Sequence, residues 1–337
     1  MYKGKSVGVV VPAYNEELLI GRVIETMPLF VDKIVIVDDH SSDQTYSIAQ
    51  NYLNSDPDRI VLISHTVNQG VGGAIITGYK WCRDHDIDAT AVMAGDAQMD
   101  PDDLPALLEP VINDYADYSK GNRLVSGKAW EIIPRIRYLG NAMLSLLTKI
   151  ASGYWRIADS QTGYTVANLA VLKTLDLDNI YKRYGMPNDM LVKLNIFNFR
   201  VCDVQIKPVY NIGEKSGIKP LRMIPKLAWK LASFFLHRMI QKYVIRDFHP
   251  LVFFYFSGFT LFISGLALGI YLLIYRIFLG TVAATSTIMA VFLFITGMQS
   301  LFFAMWFDMD YNRSLNVDIN DILETTPPIH KTAKGKK

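Results

Sequence analysis

The chain has 337 residues, of which 50% are hydrophobic and 20% charged, with a formal net charge of +2. This length suggests about two domains at about 100–200 residues each, and the near-neutral charge gives no sign of a nucleic-acid-binding protein. Cys82 and Cys202 form neither a CxxC pair nor a metal-binding spacing, so we expect them to be packing residues. The apolar run before Pro12 is too short for a signal peptide, and we expect the N-terminal domain to stay in the cytoplasm.

Strand and helix patterns alternate along the first hundred residues. The β-branched run SVGVVVPAYN (6–15) predicts a strand that is buried on both faces of a sheet. Helices are predicted at EELLIGRVIETMPLF, from about Tyr46, and at NQGVGGAIITGYKWCRDH. Strands are predicted between and after them, at DKIVIVDD, RIVLISHT and ATAVMAG. Such alternation predicts an α/β fold with a doubly wound, mostly parallel sheet.

Polar residues cluster where these predicted strands end, which is where open α/β sheets bind ligands. A dinucleotide-binding domain would carry GxGxxG directly after the first strand. Here the first strand ends in PAYNEE, which contains no glycine, so a dehydrogenase is disfavoured. The polar residues at the strand ends are Asn15, Glu16, Asp38, Asp39, Asn68, Asp96 and Gln98.

Two uncharged segments near the C-terminus, 250–275 and 278–307, are each long enough to cross a hydrocarbon core of about 30 Å. Only Arg276 and Ile277 separate them, so we expect a two-helix transmembrane hairpin. Residues 215–246 contain eight Lys and Arg residues and no acid, whereas the hairpin loop offers only Arg276. The positive-inside rule therefore places the N-terminal domain on the cytoplasmic side.

The basic stretch 217–246 also interleaves apolar residues, including Trp229, Phe234 and Phe235. This composition is typical of amphipathic helices that lie in the membrane interface and bind anionic headgroups. A solvated connector is the alternative. We therefore predict four parts: an N-terminal domain over 1–215, interfacial amphipathic helices over 216–248, the hairpin over 249–308 and a cytoplasmic tail over 309–337.

The motifs VVVPAYNEE, VIVDDHSSDQT, NQGVGGAIITGY and GDAQMDP, in this order, resemble those of the family 2 glycosyltransferases, which have the GT-A fold. The resemblance is closer to the polyprenyl-phosphate glycosyltransferases, such as dolichol-phosphate mannose synthase and the bactoprenol-phosphate glucosyltransferases. It extends over about residues 6 to 220 through GNR (121–123), RYLGN (137–141), DSQTGYTV (159–166), PNDMLVKL (187–194) and VYNIGEKSG (209–217). It implies that the N-terminal domain is a GT-A catalytic domain.

The resemblance assigns a donor site for a nucleotide sugar. Tyr14 would offer a ring face to the base, Glu16 would accept from the ribose, and Asp39 with Asp38 would accept from the base. An N-cap and turn cluster is the structural alternative for DDHSSD. The full predicted donor set is Pro12, Ala13, Tyr14, Glu16, Asp38, Asp39, Asp96, Ala97, Gln98 and Lys215.

Family members usually present Asp-x-Asp followed two residues later by Gln, which together bind a divalent cation. Here Ala94 replaces the first Asp, and Asp96 and Gln98 remain as the implied ligands. Mg²⁺ or Mn²⁺ takes oxygen ligands and is often held by one or two carboxylates plus phosphates. The loss at Ala94 leaves open whether the metal is strictly required.

The acceptor implied by the resemblance is a lipid phosphate, which is already an anion and needs positive charge rather than a general base. Arg123, Arg137 and Asn141 lie in the segments that receive this phosphate in the family, and arginine suits phosphate through its planar fork. Asn141 falls where relatives often have serine, and Arg135 is an alternative to Arg137. The predicted catalytic residues are Asp96, Arg123, Arg137 and Asp189; Asp189 would orient the acceptor loop or sugar, and Asp159, Gln161, Thr162 and Gly163 would shape the sugar pocket.

These features predict inverting transfer of a sugar from a nucleoside diphosphate, with UDP favoured, to a dolichyl or undecaprenyl phosphate at the cytoplasmic membrane face. A GDP-mannose-dependent mannose synthase is the first alternative, and a non-catalytic membrane scaffold is a more distant one. A processive polysaccharide synthase is disfavoured because the chain has no QxxRW motif. The predicted partners are the nucleotide sugar, the lipid phosphate and the membrane, with no nucleic acid, and a homo-oligomer is left open.

Overall fold

The computed structural model describes residues 1–124, 135–207, 209 and 220–318, without the side chains of 135–138, 141 and 220–225. The first half of the N-terminal domain follows the predicted alternation. Its strands and helices are β1 (Val7–Ala13), α1 (Ile20–Glu25), β2 (Lys33–Asp38), α2 (Thr45–Ser55), β3 (Ile60–Ser64), α3 (Val71–Asp84) and β4 (Ala89–Val92). All seven residues of β1 are buried, as the β-branched run requires.

The second half of the domain mixes strand directions. Its elements are α4 (Leu104–Ile112), β5 (Tyr118–Asn122), α5 (Arg135–Ser152), β6 (Thr165–Asn168), α6 (Leu169–Thr174), α7 (Met186–Ile196) and β7 (Val201–Gln205). The sheet order is β3-β2-β1-β4-β6-β5-β7, continued by β8 (Asn316–Val317). Only β6 runs antiparallel to its neighbours, β4 and β5, within the described sheet. The predicted mostly parallel α/β sheet is confirmed.

The sheet is covered on both faces, and apolar residues of β1 point to alternate sides. Val7, Val9 and Val11 join the core beneath α1 and α4, whereas Val10 joins the core beneath α3 and α7. This two-sided burial is the reason that the strand sequences are continuous rather than alternating in hydrophobicity. It also leaves the strand ends as the open edge of the domain.

The C-terminal part begins with α8 (Pro220–Ile240), which runs into a π-helical segment, Gln241–Arg246. Two helices follow, α9 (Leu251–Phe278) and α10 (Ala284–Tyr311), and both are long and apolar enough to cross a membrane by length and composition. They pack on each other through glycines. An added Cβ at Gly265 would lie 2.4 Å from the Phe294 nitrogen, and one at Gly297 would lie 2.3 Å from the Phe262 nitrogen. Such close backbone approach is typical of membrane helix pairs.

After α10 the chain returns to the N-terminal domain. Asn316 and Val317 pair in parallel with Val201 and Cys202 and so form β8. Both ends of the hairpin therefore lie at the N-terminal domain. Residues 309–318, which the sequence assigned to the tail, form the end of α10 and this strand; the division into four parts stays a prediction.

The glycine packing of the hairpin predicts a difference between two valine substitutions. Gly297→Val should lower the melting temperature of the detergent-solubilised protein, with an overpacking cost of roughly 1–3 kcal/mol, because its Cβ would overlap the backbone of α9. Gly269→Val is the matched control, since no heavy atom lies within 4 Å of its Cβ position. Equal melting temperatures for the two variants would contradict this packing.

Candidate active site at the strand ends

The carboxyl ends of β1, β2 and β4 meet at one edge of the sheet. The Asp39 backbone nitrogen donates to the Ala13 carbonyl at 2.9 Å, and the Gly95 nitrogen donates to the Pro12 carbonyl at 3.0 Å. Three non-glycine residues just beyond these strand ends adopt left-handed backbone conformations: Asn15 (φ 56°), His40 (φ 64°) and Ala97 (φ 55°). Such conformations cost free energy and concentrate at ligand sites, so this edge is the candidate active site.

Asp39 is buried, and its carboxylate already accepts three hydrogen bonds. Its Oδ1 lies 2.7 Å from His65 Nδ1 and accepts from the Gln69 nitrogen at 2.8 Å, while Oδ2 accepts from the Gly70 nitrogen at 2.7 Å. Because an ionised carboxylate only accepts, His65 Nδ1 is the donor. Asp39 therefore holds the loop that begins α3 against the end of β2. Its predicted contact with the base stays a prediction.

Asp38 is also buried but differs from Asp39 in having an unused acceptor. Its Oδ2 accepts from the Ser64 hydroxyl at 3.2 Å, whereas Oδ1 has no hydrogen-bond partner among the described residues. A buried acceptor without a donor is costly and rare in proteins, and it indicates a partner supplied by a ligand or solvent. Pro12 and Ala13 are buried beside it, and Tyr14 exposes 49% of its surface at the same edge.

Asp96 and Gln98 lie on the tight turn that follows β4. The Gln98 nitrogen donates to Asp96 Oδ1 at 3.1 Å across Ala97, whose left-handed conformation closes the turn. Burial, and after it the negative charge of Asp96, raises the pKa of Glu16 to about 7. The turn thus places the Asp96 carboxylate near a second acid, with Gln98 two residues further along the turn. This oxygen-rich set fits a hard cation that takes its other ligands from phosphate and water. Within the described ranges, no group of three or more His, Cys, Asp or Glu residues has metal-site geometry.

Arg123, a predicted acceptor residue, forms an ion pair with the fully buried Asp159. Its Nε donates to Asp159 Oδ2 at 2.8 Å and its Nη2 donates to Oδ1 at 3.3 Å. Burial raises the pKa of Asp159, but the Arg123 guanidinium outweighs this effect and holds the pKa below its ordinary value. The side chain of Arg123 remains 20% exposed. Asp159 therefore positions the guanidinium at the surface of the site rather than lining a sugar pocket alone.

Lys120 lies beneath this ion pair and was not identified from the sequence. Its side chain is fully buried and donates to the Thr162 carbonyl. Burial lowers the pKa of Lys120 to about 8, while Asp159 opposes that shift. The Lys120 ammonium is close to Arg123 and Asp159, and its positive charge stabilises the Asp159 carboxylate. The sequence signal was a lysine inside an otherwise buried strand, which is rarely found without a charged partner.

Helix α5 has an unusual distribution of side chains. Its hydroxyl residues face the domain, where Ser145 Oγ lies 3.1 Å from Ser160 Oγ. On another face, Leu139, Met143 and Leu146 are 60%, 55% and 49% exposed. A water-facing helix would have the reverse distribution. The spacing of these three residues at i, i+4 and i+7 was visible in the sequence, but only the fold shows that this face points outward.

Helix α5 also packs along α8. The buried residues Leu144 and Ala151 of α5 form one cluster with Leu227 and Leu231 of α8. Trp229 and Leu236 of α8 are 78% and 59% exposed. Both helices therefore expose apolar residues as well as packing on each other.

Three predicted site residues have side chains outside the described part of the chain. The backbones of Arg137 and Asn141 lie in the first two turns of α5, which places them at the same helix as the exposed apolar face. Lys215 lies in the segment 210–219 and is not described. The roles predicted for Arg137, Asn141 and Lys215 stay predictions.

Asp189 is buried in the first turn of α7 and bonds to a neighbouring loop. Its Oδ2 accepts from the Tyr181 nitrogen at 2.8 Å and lies 3.0 Å from Lys193 Nζ. The next residue of that loop, Lys182, accepts from the Gly73 nitrogen at 3.1 Å. Asp189 thus fixes a loop against the start of α3. Its predicted catalytic role stays a prediction.

The chain is similar to known glycosyltransferases. The family described as Glycosyl transferase family 2 matches residues 8–175. A UDP-N-acetylglucosamine–dolichyl-phosphate N-acetylglucosaminyltransferase from Methanococcus voltae is 33% identical over 218 residues, covering 61% of this chain and 86% of that protein. An undecaprenyl-phosphate mannosyltransferase from Micrococcus luteus is 30% identical over 233 residues, covering 66% of this chain and 93% of that protein.

The fold also has a counterpart among solved structures. Glucosyl-3-phosphoglycerate synthase from Mycobacterium tuberculosis, in complex with uridine diphosphate, matches with a TM-score of 0.50 and 19% identity. The match covers 70% of this chain and 80% of that one. At this identity the likeness concerns the fold alone, and it agrees with the predicted GT-A architecture.

The contacts of the two neighbouring aspartates predict different effects on stability. Asp39→Asn should lower the free energy of unfolding of the catalytic domain by roughly 1.5–3 kcal/mol, because an amide group would face backbone donors that now meet a charged acceptor. Asp38→Asn should cost less, because only one of its oxygens is engaged, through long contacts of 3.2 and 3.4 Å. Chemical denaturation followed by fluorescence checks both; a larger loss for Asp38→Asn would refute the structural role of Asp39.

Proposed function

Because this chain belongs to glycosyltransferase family 2, we propose that it transfers a sugar from a nucleoside-diphosphate sugar to a polyprenyl phosphate at the membrane surface. The observation that carries the proposal is the inverted helix α5. Arg137, which we predict to bind the acceptor phosphate, lies in the first turn of this helix. Ser145 contacts Ser160, the residue after the Arg123 partner Asp159. Leu139 and Met143 are exposed. A site built in this way suits an acceptor with a charged head and an apolar tail.

The donor site is assigned to the ends of β1, β2 and β4. Asp38 Oδ1 is a buried acceptor that lacks a donor among the described residues, so we assign to it an N–H of the nucleotide base. Tyr14 is exposed beside it and offers a ring face. Glu16 lies close enough to Asp96 for the Asp96 charge to raise the pKa of Glu16, and we assign Glu16 to the ribose. A uridine nucleotide is favoured by the M. voltae relative, whose name specifies a UDP-sugar.

The cation is assigned to Asp96 and Gln98. A bound Mg²⁺ or Mn²⁺ would supply the positive charge that the departing diphosphate needs. The protein's own contribution is the tight turn through Ala97, which holds the two oxygen ligands on one edge. Ala94 removes one carboxylate from the usual set, so substrate phosphates would provide more of the coordination.

The acceptor step follows from the charge of the lipid phosphate. One phosphate oxygen forms a bond to C1 of the sugar, the bond from C1 to the donor diphosphate breaks, and the nucleoside diphosphate leaves with that electron pair. Attack in line with the leaving group inverts the anomeric centre. Because the phosphate is already ionised, no general base is needed; Arg123, fixed by Asp159, holds it in position. Arg137 and Asn141 are proposed as further phosphate ligands.

A mannosyl donor is the second candidate, and one observation favours it. The M. luteus relative, similar over 93% of its length, is named as a mannosyltransferase. The orphan acceptor at Asp38 fits an N–H of either uracil or guanine, so it does not discriminate between the two donors. The acceptor site is the same in both candidates.

The proposal is tested with purified protein in lipid nanodiscs that contain undecaprenyl or dolichyl phosphate. We expect label from a UDP-sugar to enter the lipid phase, to require the polyprenyl phosphate, and to fall sharply in Asp38→Ala but not in Asp58→Ala, which alters an exposed residue at the far end of β3. Label from GDP-mannose alone would select the second candidate. Donor hydrolysis without any labelled lipid would overturn both.

The catalytic domain is proposed to face the cytosol. Cys82 and Cys202 are both buried, so an introduced cysteine reports with low background. Leu279→Cys, at a residue 72% exposed in the hairpin loop, should react with an impermeant maleimide added to intact cells. Asp58→Cys, on the catalytic domain, should react only after lysis. The opposite pattern would contradict this orientation.

A further inference from the structure

A buried polar cluster lies where the catalytic domain, α8 and the hairpin meet. Arg238 and Asp308 at its centre are both fully buried. We call it the junction cluster, and its members are Asn195, Arg238, Lys242, Tyr243, Asp308 and Asn312. The activity proposed above uses none of these residues.

The ion pair at the centre of the junction cluster has the geometry of a planar fork. Arg238 Nη1 lies 2.8 Å from Asp308 Oδ1, and Nη2 lies 2.8 Å from Oδ2. The Tyr243 hydroxyl donates to Asp308 Oδ1 at 2.6 Å. Lys242 Nζ donates to Asn312 Oδ1 at 2.7 Å and to the Asn195 carbonyl at 2.8 Å. Two parallel charge-assisted bonds fix both distance and orientation.

The cluster joins four helices at one place. Arg238 belongs to α8 and Asp308 to the end of α10, while Asn195 lies in the last turn of α7. Arg238 also donates to two carbonyls in the last turns of α5, from Nε to Ala151 at 2.8 Å and from Nη2 to Ile150 at 3.0 Å. The hairpin is therefore linked through Arg238 to α5, the helix whose first turns contain Arg137 and Asn141.

The same helix carries this connection towards Arg123. Ser145, only five residues before Ile150 and so about 7.5 Å along the helix axis, accepts from the Ser160 nitrogen at 3.0 Å. Ser160 directly follows Asp159, the partner of Arg123. A short rigid path thus leads from the hairpin to the guanidinium assigned to the acceptor phosphate.

Buried ion pairs are weak contributors to stability, because desolvation offsets their attraction and apolar replacements are often equally stable. Their best-attested benefit is a single, well-defined arrangement of the parts that they join. We infer that Arg238 is a positioning residue: through Asp308 it sets the distance between the acceptor-phosphate site and the bilayer. This inference rests on the proposed function, since only an acceptor anchored in the membrane would be sensitive to that distance.

The test compares two acceptors with the full-length protein in nanodiscs: undecaprenyl phosphate in the bilayer and a short, water-soluble isoprenoid phosphate. In Arg238→Gln, the kcat/KM for undecaprenyl phosphate should fall about tenfold or more, because a misplacement of about 1 Å can cost about a hundredfold in rate. The donor KM and the kcat with the soluble acceptor should stay within about twofold, a change too small to reflect lost alignment of the reacting groups.

Two further variants keep the test decisive. Arg200→Gln is the matched control, because it breaks another arginine–aspartate pair, with Asp117, that shares no residue with the junction cluster. If Arg238→Gln does not fold, the double variant Arg238→Met with Asp308→Leu replaces it, since it leaves neither partner of the pair charged and alone.

The outcomes separate this inference from the proposed function. An equal loss with both acceptors would show that the cluster only supports the fold, and unchanged kinetics would show that it has no role in positioning. In both cases the wild-type protein still glycosylates the lipid, so the proposed function stands and the inference fails. If the wild-type protein glycosylates neither acceptor, the proposed function fails and the inference fails with it.

Discussion

Helix α5 packs its hydroxyl side chains against the catalytic domain and turns Leu139, Met143 and Leu146 outward. In water this arrangement would be costly, because each exposed apolar side chain forgoes about 1.5–3 kcal/mol of burial free energy. Against a bilayer this cost would disappear, and under the proposed function the helix would bring a lipid phosphate to the sheet edge. The proposed reaction depends on this constraint, since one substrate is dissolved in the cytosol and the other is confined to the membrane.

Within the described part of the chain, buried polar groups have hydrogen-bond partners in the junction cluster, whereas some of those at the strand ends do not. In the junction cluster, Arg238 and Lys242 meet carboxylate, amide and carbonyl oxygens, and the geometry is fixed. At the strand ends, Asp38 Oδ1 has no donor among the described residues, and the charge of Asp96 raises the pKa of Glu16. The first pattern holds helices in place, whereas the second is the pattern expected of a site that a ligand and a cation complete.

Much of the fold could be predicted because its signals are local. The β-branched run of β1 and the uncharged hairpin segments identify themselves within a few residues. Strand β8 could not be predicted, since two residues pair with Val201 and Cys202 far earlier in the chain. Long-range pairing of this kind leaves no periodic pattern in the sequence.

The candidate site shows the same limit at the level of single side chains. Resemblance named both Asp38 and Asp39. Only the structure shows that Asp39 bonds to His65 and two backbone nitrogens, whereas Asp38 Oδ1 has no partner among the described residues. Likewise, the sequence contains the Arg123 and Asp159 motifs without showing that they form one ion pair. The sequence gives the chemical type of each side chain, whereas the hydrogen-bond partner of that side chain depends on the fold.

The central claim is the proposal that helix α5 lies in the bilayer surface. It is tested most directly by the depth of a nitroxide attached at Met143→Cys in the nanodisc-bound protein, with the two native cysteines buried. The account predicts that this label is more accessible to oxygen than to a water-soluble nickel complex, as in lipid. An accessibility equal to that of a label at Asp58→Cys, on the catalytic domain, would place the helix in water and contradict the account.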